Sequence, residues 1–111
     1  MTFQMDPDHA HARWPTLAGH PVIDPQMRRV GTVTDVLFDE RQQVPRWAVV
    51  KTGVVSGEHF VPLAASYVDE DGRLVVPHDK ASIKRAPRAG RDHVMTREVN
   101  LKLRDYYSIA A

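Results

Sequence analysis

The stretch Arg28–Glu40, RRVGTVTDVLFDE, decides the fold. Val30, Val33, Val36 and Leu37 recur at the spacing of a helix face. The residues between them are Gly, Thr, Thr and Asp, and five of the eleven residues from Val30 to Glu40 are Val or Thr. Branching at Cβ suits a pleated strand better than a helix, and Gly31 would cost a helix about 1 kcal/mol relative to Ala. A glycine inside a strand marks a bulge or bend. One extra residue at a bulge breaks the alternation of faces and imitates a helical period. The segment is therefore read as a bent strand from Val30 to Phe38.

Working outward, GHPVIDP (Gly19–Pro25) fits a short strand at Val22-Ile23 ending in a turn. DERQQVP is a polar turn. RWAVVKTG (Arg46–Gly53) is a strand with Trp47, Val49 and Lys51 on one face and Ala48, Val50 and Thr52 on the other. VVSGEHFVPLAA turns at Ser56-Gly57 and resumes with Phe60, Val61 and Leu63. SYVDEDGRLVVP is a hairpin: Tyr67-Val68, a turn at Asp71-Gly72, then Leu74 to Val76. KASIKRAP ends the β region around Ile83, and APRAGRD is a loop. TREVNLKLRDYY then takes a helical period, with Val99, Leu103 and Tyr106 on one stripe, Thr96 as N-cap and Glu98 at the positive end of the dipole. Leu101 falls off that stripe.

The expected architecture is mainly β: a small, bent, partly open antiparallel β-barrel with a C-terminal α-helix and an N-terminal arm. Residues 1–17 form the arm, 18–88 the barrel domain, and 89–111 the loop and helix. Within the arm, Trp14 and Leu17 are the expected anchors.

The length of 111 residues allows one domain. A hydrophobic content of 42% supports a core, and a net charge of +1 gives no global electrostatic case for nucleic acid. The absence of cysteine excludes disulfides, thiolate nucleophiles and Cys-ligated metals. The first fifteen residues lack the basic and apolar regions of a signal peptide. No apolar run approaches the roughly 20 residues needed to cross a bilayer. A soluble, cytoplasmic protein is expected.

The ordered motifs resemble the PRC-barrel domain, the fold of the barrel in the reaction-centre H subunit and of the C-terminal domain of the ribosome-maturation factor RimM. GHPVIDP is similar to that family's opening G-x-x-V-x-D, and RVGTVTDVLFDE to its I-G-x-V-x-D-V-x-x-D. RWAVVKTG is similar to the next strand, HFVPL to its V-P-L strand, and DGRLVVPHDKASIKRAP to its closing region. MTREVNLKLRDYY resembles the tail of free-standing members. The resemblance implies a bent, mainly antiparallel barrel used for binding or assembly, with no shared catalytic set. This chain shows neither the transmembrane helix that precedes the barrel in the H subunit nor RimM's first domain, so neither specific role is expected of it.

The residues that could carry chemistry are few. His9 and His11 are two adjacent imidazoles without an identifiable third ligand, so no metal is assigned. Asp69–Gly72 opens like a calcium loop, but position six from Asp69 is Leu74 and position twelve is Lys80, so it is read as a hairpin turn. Asp35 and Asp39 could form an acid–base pair; Asp35 is better explained by hydrogen bonds to backbone at the bend. The serines lack a nucleophile-elbow context, and no phosphate-binding glycine motif occurs. Neither a catalytic residue nor a cofactor is assigned.

Two surfaces stand out. Lys80, Lys84, Arg85, Arg88 and Arg91 fall within twelve residues and make a candidate patch for an anionic partner, whether RNA, acidic protein or lipid. No aromatic interleaves with them, so base stacking is not supported. Trp14, Trp47, Leu101, Tyr106 and Tyr107 form the candidate interaction surface. Tyr106 and Tyr107 differ by about 100° on a helix and cannot both face the barrel. The leading reading is a non-enzymatic module working by protein–protein contact, with self-association as a homodimer through open strand edges, the arm and the off-stripe face of the helix. The alternatives are an RNA- or ribosome-associated factor using residues 80–91, and an accessory domain of a photosynthetic, electron-transport or membrane-associated complex.

Overall fold

The structure is a computed structural model, and it describes residues 17–39, 41, 43–55 and 57–108. Residues 1–16 of the arm, with His9, His11 and Trp14, lie outside the described residues, as does Ser56. Six strands form one sheet: β1 (Pro21–Ile23), β2 (Arg29–Phe38), β3 (Pro45–Gly53), β4 (Gly57–Pro62), β5 (Tyr67–Val68) and β6 (Leu74–Val75). Two helices follow, α1 (Lys80–Arg85) and α2 (Arg97–Tyr106). The strand order is β4-β3-β2-β1-β6-β5, and the sheet is bent without closing.

The deciding stretch is a strand. Its register slips at Thr34, between the pairs Val33–Val50 and Asp35–Val49. The slip returns Val36, opposite Ala48, to the face that Val33 occupies. It slips again at Val30, between Val22–Gly31 and Ile23–Arg29. Two bulges therefore bring Val30, Val33 and Val36 to one face at intervals of three, which is why the sequence imitates a helix. Gly31 is not itself the inserted residue. A Cβ there would collide with the Lys51 carbonyl oxygen, so Gly31 lets two backbones approach closely.

Two expectations need correction. The sheet is mixed, not antiparallel throughout, because β1 pairs parallel with β6 through Val22–Leu74 and Ile23–Val75. Nothing local distinguishes that pairing, since both strands are short and apolar. KASIKRAP does not close the β region; it contains α1. Asp79 caps this helix by accepting from the Ser82 N–H at 2.7 Å, and Ile83 is its fully buried residue. One buried apolar residue in six positions leaves no period to read.

β3 carries apolar residues on both faces, and two cores result. Ala48 and Val50 join Val22, Val30, Val61 and Leu74 inside the barrel, where Leu17 and Ile83 also pack. Trp47 and Val49 join Phe60 and Leu103 on the outer face, beneath α2. The helix turns Val99 and Leu103 to the sheet as its period predicts, but Tyr106, the expected third residue of that stripe, is exposed; the helix ends there, and Tyr107 at its C-cap completes the contact. Thr96 caps it by accepting from the Val99 N–H. No helix of the described residues is long and apolar enough to cross a membrane.

Candidate functional site

The outer face of β2–β3–β4 ends in a polar margin. There the loop between the helices lays His93 between two carboxylates. Nδ1 of His93 lies 3.0 Å from Asp35 on β2, and Nε2 lies 3.0 Å from Glu58 on β4. The second Asp35 oxygen accepts from the Val36 N–H at 2.8 Å, the backbone role that the sequence assigned to it at the bend. Glu58 also accepts from the Thr34 hydroxyl at 2.6 Å. Ionised carboxylates only accept, so both ring nitrogens donate together only as imidazolium. The Glu58 hydrogen bond raises the His93 pKa above its ordinary value; burial opposes it and Asp35 adds to it. The Thr34 and His93 bonds in turn hold Glu58 below the usual carboxylate range, against a smaller opposing effect of burial. The ring nitrogens point to opposite edges, so the two carboxylates grip the ring from either side and do not converge with it on one ion. This arrangement fixes the loop to the sheet.

Beside this bridge, a groove of about 530 Å³ runs between the β2–β3 turn and the start of α2. Leu37, Trp47 and Met95 supply its apolar surface, and Arg46, Arg97 and Arg104 its charge. Asp39 is its carboxylate, 3.4 Å from Arg46. A second groove of about 290 Å³ continues past Arg46, Trp47 and Arg104 toward Pro62 and Leu63. Together they make an elongated cleft, apolar at the base and cationic along its length.

Within the candidate interaction surface, Trp47 is 7% exposed and packs edge-on to Phe60, with ring centroids 6.5 Å apart. Tyr107 packs at a tilt against Trp47 and donates to the Phe60 carbonyl at 2.9 Å. Burial pushes the Tyr107 phenol pKa well up, and Tyr106 adds to the shift. Tyr106 is the more exposed of the pair and donates to the Ser82 carbonyl on α1. Leu101 is 59% exposed on the outer side of α2. The structure thus brings Trp47, Tyr106 and Tyr107 together and leaves Leu101 apart. The basic segment also divides. Lys84 and Arg85 occupy the last turn of α1, whereas Arg88 and Arg91 line a cavity with Lys51 beside the β3–β4 turn.

Asp69 serves its hairpin turn, accepting from the Asp71 and Arg73 N–H groups and from the Arg73 side chain. The sequence reading missed His93, Glu58 and the cleft arginines. His93 lies 58 residues from Asp35 and 35 from Glu58. Its φ of 57° lies in the left-handed region, which histidine enters more readily than most side chains but too seldom to be read from sequence.

The described residues thus form a bent open barrel with a helix-covered outer face and a cleft at its rim. The sequence profile of the PRC-barrel domain matches residues 11–83, and the chain belongs to this family. Nothing among curated proteins matches the sequence.

Proposed function

We propose that this PRC-barrel chain is a non-enzymatic assembly module that works by protein–protein contact. In this reading its cleft receives an extended segment of a partner that carries both carboxylates and apolar side chains. The observation that carries the proposal is the pairing of an apolar base (Leu37, Trp47, Met95) with three arginines along one groove. Arginine favours carboxylate partners because its planar fork donates two hydrogen bonds at once. The experiment is fluorescence anisotropy with a labelled peptide of alternating Glu and Leu. Saturable binding is expected, weakened about tenfold by Arg97→Glu, with no binding of the Lys–Leu counterpart. Equal binding of both peptides, or indifference to Arg97→Glu, would remove the proposal.

Self-association is the second reading, and the fold narrows where it could occur. β5 is only two residues long. The outer edge of β4 is covered by the Ala89 N–H bonding to the Glu58 carbonyl and by the bridge between His59 and Arg88. Blunted edges of this kind resist edge-to-edge pairing. Leu101, exposed on the outer side of α2, is the feature that favours this reading. Light scattering that finds a monomer at high micromolar concentration ends this reading.

A further inference from the structure

The turn between β3 and β4 carries Val54 at 93% and Val55 at 85% exposure, the two most exposed large apolar residues among those described. Turn chemistry does not call for them: turns favour Gly, Asn, Asp, Ser and Pro, and β-branched side chains gain nothing there. They stand at the end of a hairpin, and Val54 forms the rim of an open, largely cationic cavity. Around them stands a cationic collar. The Arg88 guanidinium donates to the Val55 carbonyl at 2.8 Å and so holds the tip. Lys51, Arg88 and Arg91 line one cavity with Val54. The carboxylate in that cavity, Glu58, is already bonded to Thr34 and His93.

We propose that this hairpin tip docks on an anionic lipid bilayer, with Val54 and Val55 entering the interface and Lys51, Arg88 and Arg91 meeting the headgroup phosphates. The shape and charge fit that occupant. A projecting apolar tip needs a soft apolar phase to enter. Long cationic side chains keep their charge at headgroup level while their stems lie along the acyl boundary. Cations near an anionic leaflet each strengthen binding about fivefold at moderate salt. The surface lies apart from the arginine cleft and does not depend on it.

Vesicle sedimentation with the full chain tests this. Vesicles of equal phosphatidylglycerol and phosphatidylcholine should bind the protein, and phosphatidylcholine alone should not. Salt at about 1 M, where the screening length is about 3 Å, should release it. Val54→Ser combined with Val55→Ser should weaken binding at least about tenfold, and Arg91→Gln about fivefold. Both variants alter exposed side chains, and unchanged circular dichroism checks their fold. The proposal is overturned by no binding to anionic vesicles, by equal binding to both vesicle types, by binding that the double Val variant leaves unchanged, or by full displacement by inorganic phosphate. The last would mark a free-anion site instead. Binding to RNA without binding to vesicles would also overturn it.

Discussion

Two carboxylates fasten later parts of the chain to the same sheet, and they differ in what they fasten to. Asp24 is fully buried after β1. It accepts from the backbone N–H groups of Gln26, Arg28 and Lys80 and from the Arg28 side chain. It thereby joins the β1–β2 turn to the first residue of α1. Burial pushes its pKa up, but the bonds from Arg28, Lys80 and Gln26 outweigh burial and hold it below the ordinary carboxylate value. Glu58 instead fastens the interhelical loop through His93. Backbone amides and guanidinium groups do not titrate near neutrality; imidazole does. One fastening is permanent at any physiological pH, and the other depends on a proton.

Removing Asp24 is the strongest way to break the comparison. Asp24→Ala leaves the buried N–H groups of the turn and of Lys80 without their acceptor. It should cost about 3 kcal/mol, read as a lower urea midpoint with unchanged slope. A loss below about 1 kcal/mol would place the fastening elsewhere.

The next effect is pH dependence. Because folding raises His93 above its ordinary 6.5, its contribution is complete below that value and vanishes as pH rises through the raised one. Glu58 acts in reverse: lowered from 4.5, it contributes above that value and loses its contribution as pH falls through the lowered one. The bridge is therefore strongest between the two. Stability should fall by about 1 kcal/mol as pH rises from mildly acidic to alkaline, and His93→Gln should flatten that slope. A profile that keeps its slope in the variant would assign it to another group.

The two arms of the bridge should also differ. The Glu58 side chain is 25% exposed and that of Asp35 is 48%, so water screens the Asp35 arm more. Glu58→Gln should cost about 1 kcal/mol and Asp35→Asn about half as much. Reversal of that order would mean that the Asp35 bond to the Val36 N–H outweighs its bond to His93. The smallest effect belongs to an ion pair with neither burial nor a structural partner. Lys102 and Glu98, 3.3 Å apart on the exposed face of α2, should give no more than about 0.3 kcal/mol in a double-mutant cycle.

The strands were legible wherever residue type and pattern agreed. Trp47 to Thr52 is a short apolar and β-branched run between turns, and Asp71-Gly72 announces its hairpin. The deciding stretch was legible through composition while its spacing misled, because the bulges at Val30 and Thr34 hide the period of two. α1 left one local trace, an Asp three residues before Ser82, which is the spacing of an N-cap and its acceptor contact. The parallel β1–β6 pair left none, since register across 52 residues is settled by the closed core around Val22 and Leu74. The His93 bridge was invisible for the same reason: each partner is unremarkable alone, and only the folded sheet brings Asp35 and Glu58 to opposite edges of one ring. For the candidate interaction surface, the sequence identified the aromatics but not their burial. Trp47 and Tyr107 hold α2 in place, and the cleft beside them takes its charge from Arg46 on β3 and from Arg97 and Arg104 on α2.

The bond from Asp24 to the Lys80 N–H spans 56 residues, and that span bears on the order in which the chain assembles. β2, β3 and β4 are joined by short turns and can pair as they meet. β1 has to wait for β6 on its other side, and Asp24 finds its last donor only after every strand has been placed. Contacts of such separation in sequence set the slow end of folding rates. Asp24 is thus a late-forming clasp: its loss should speed unfolding far more than it slows folding.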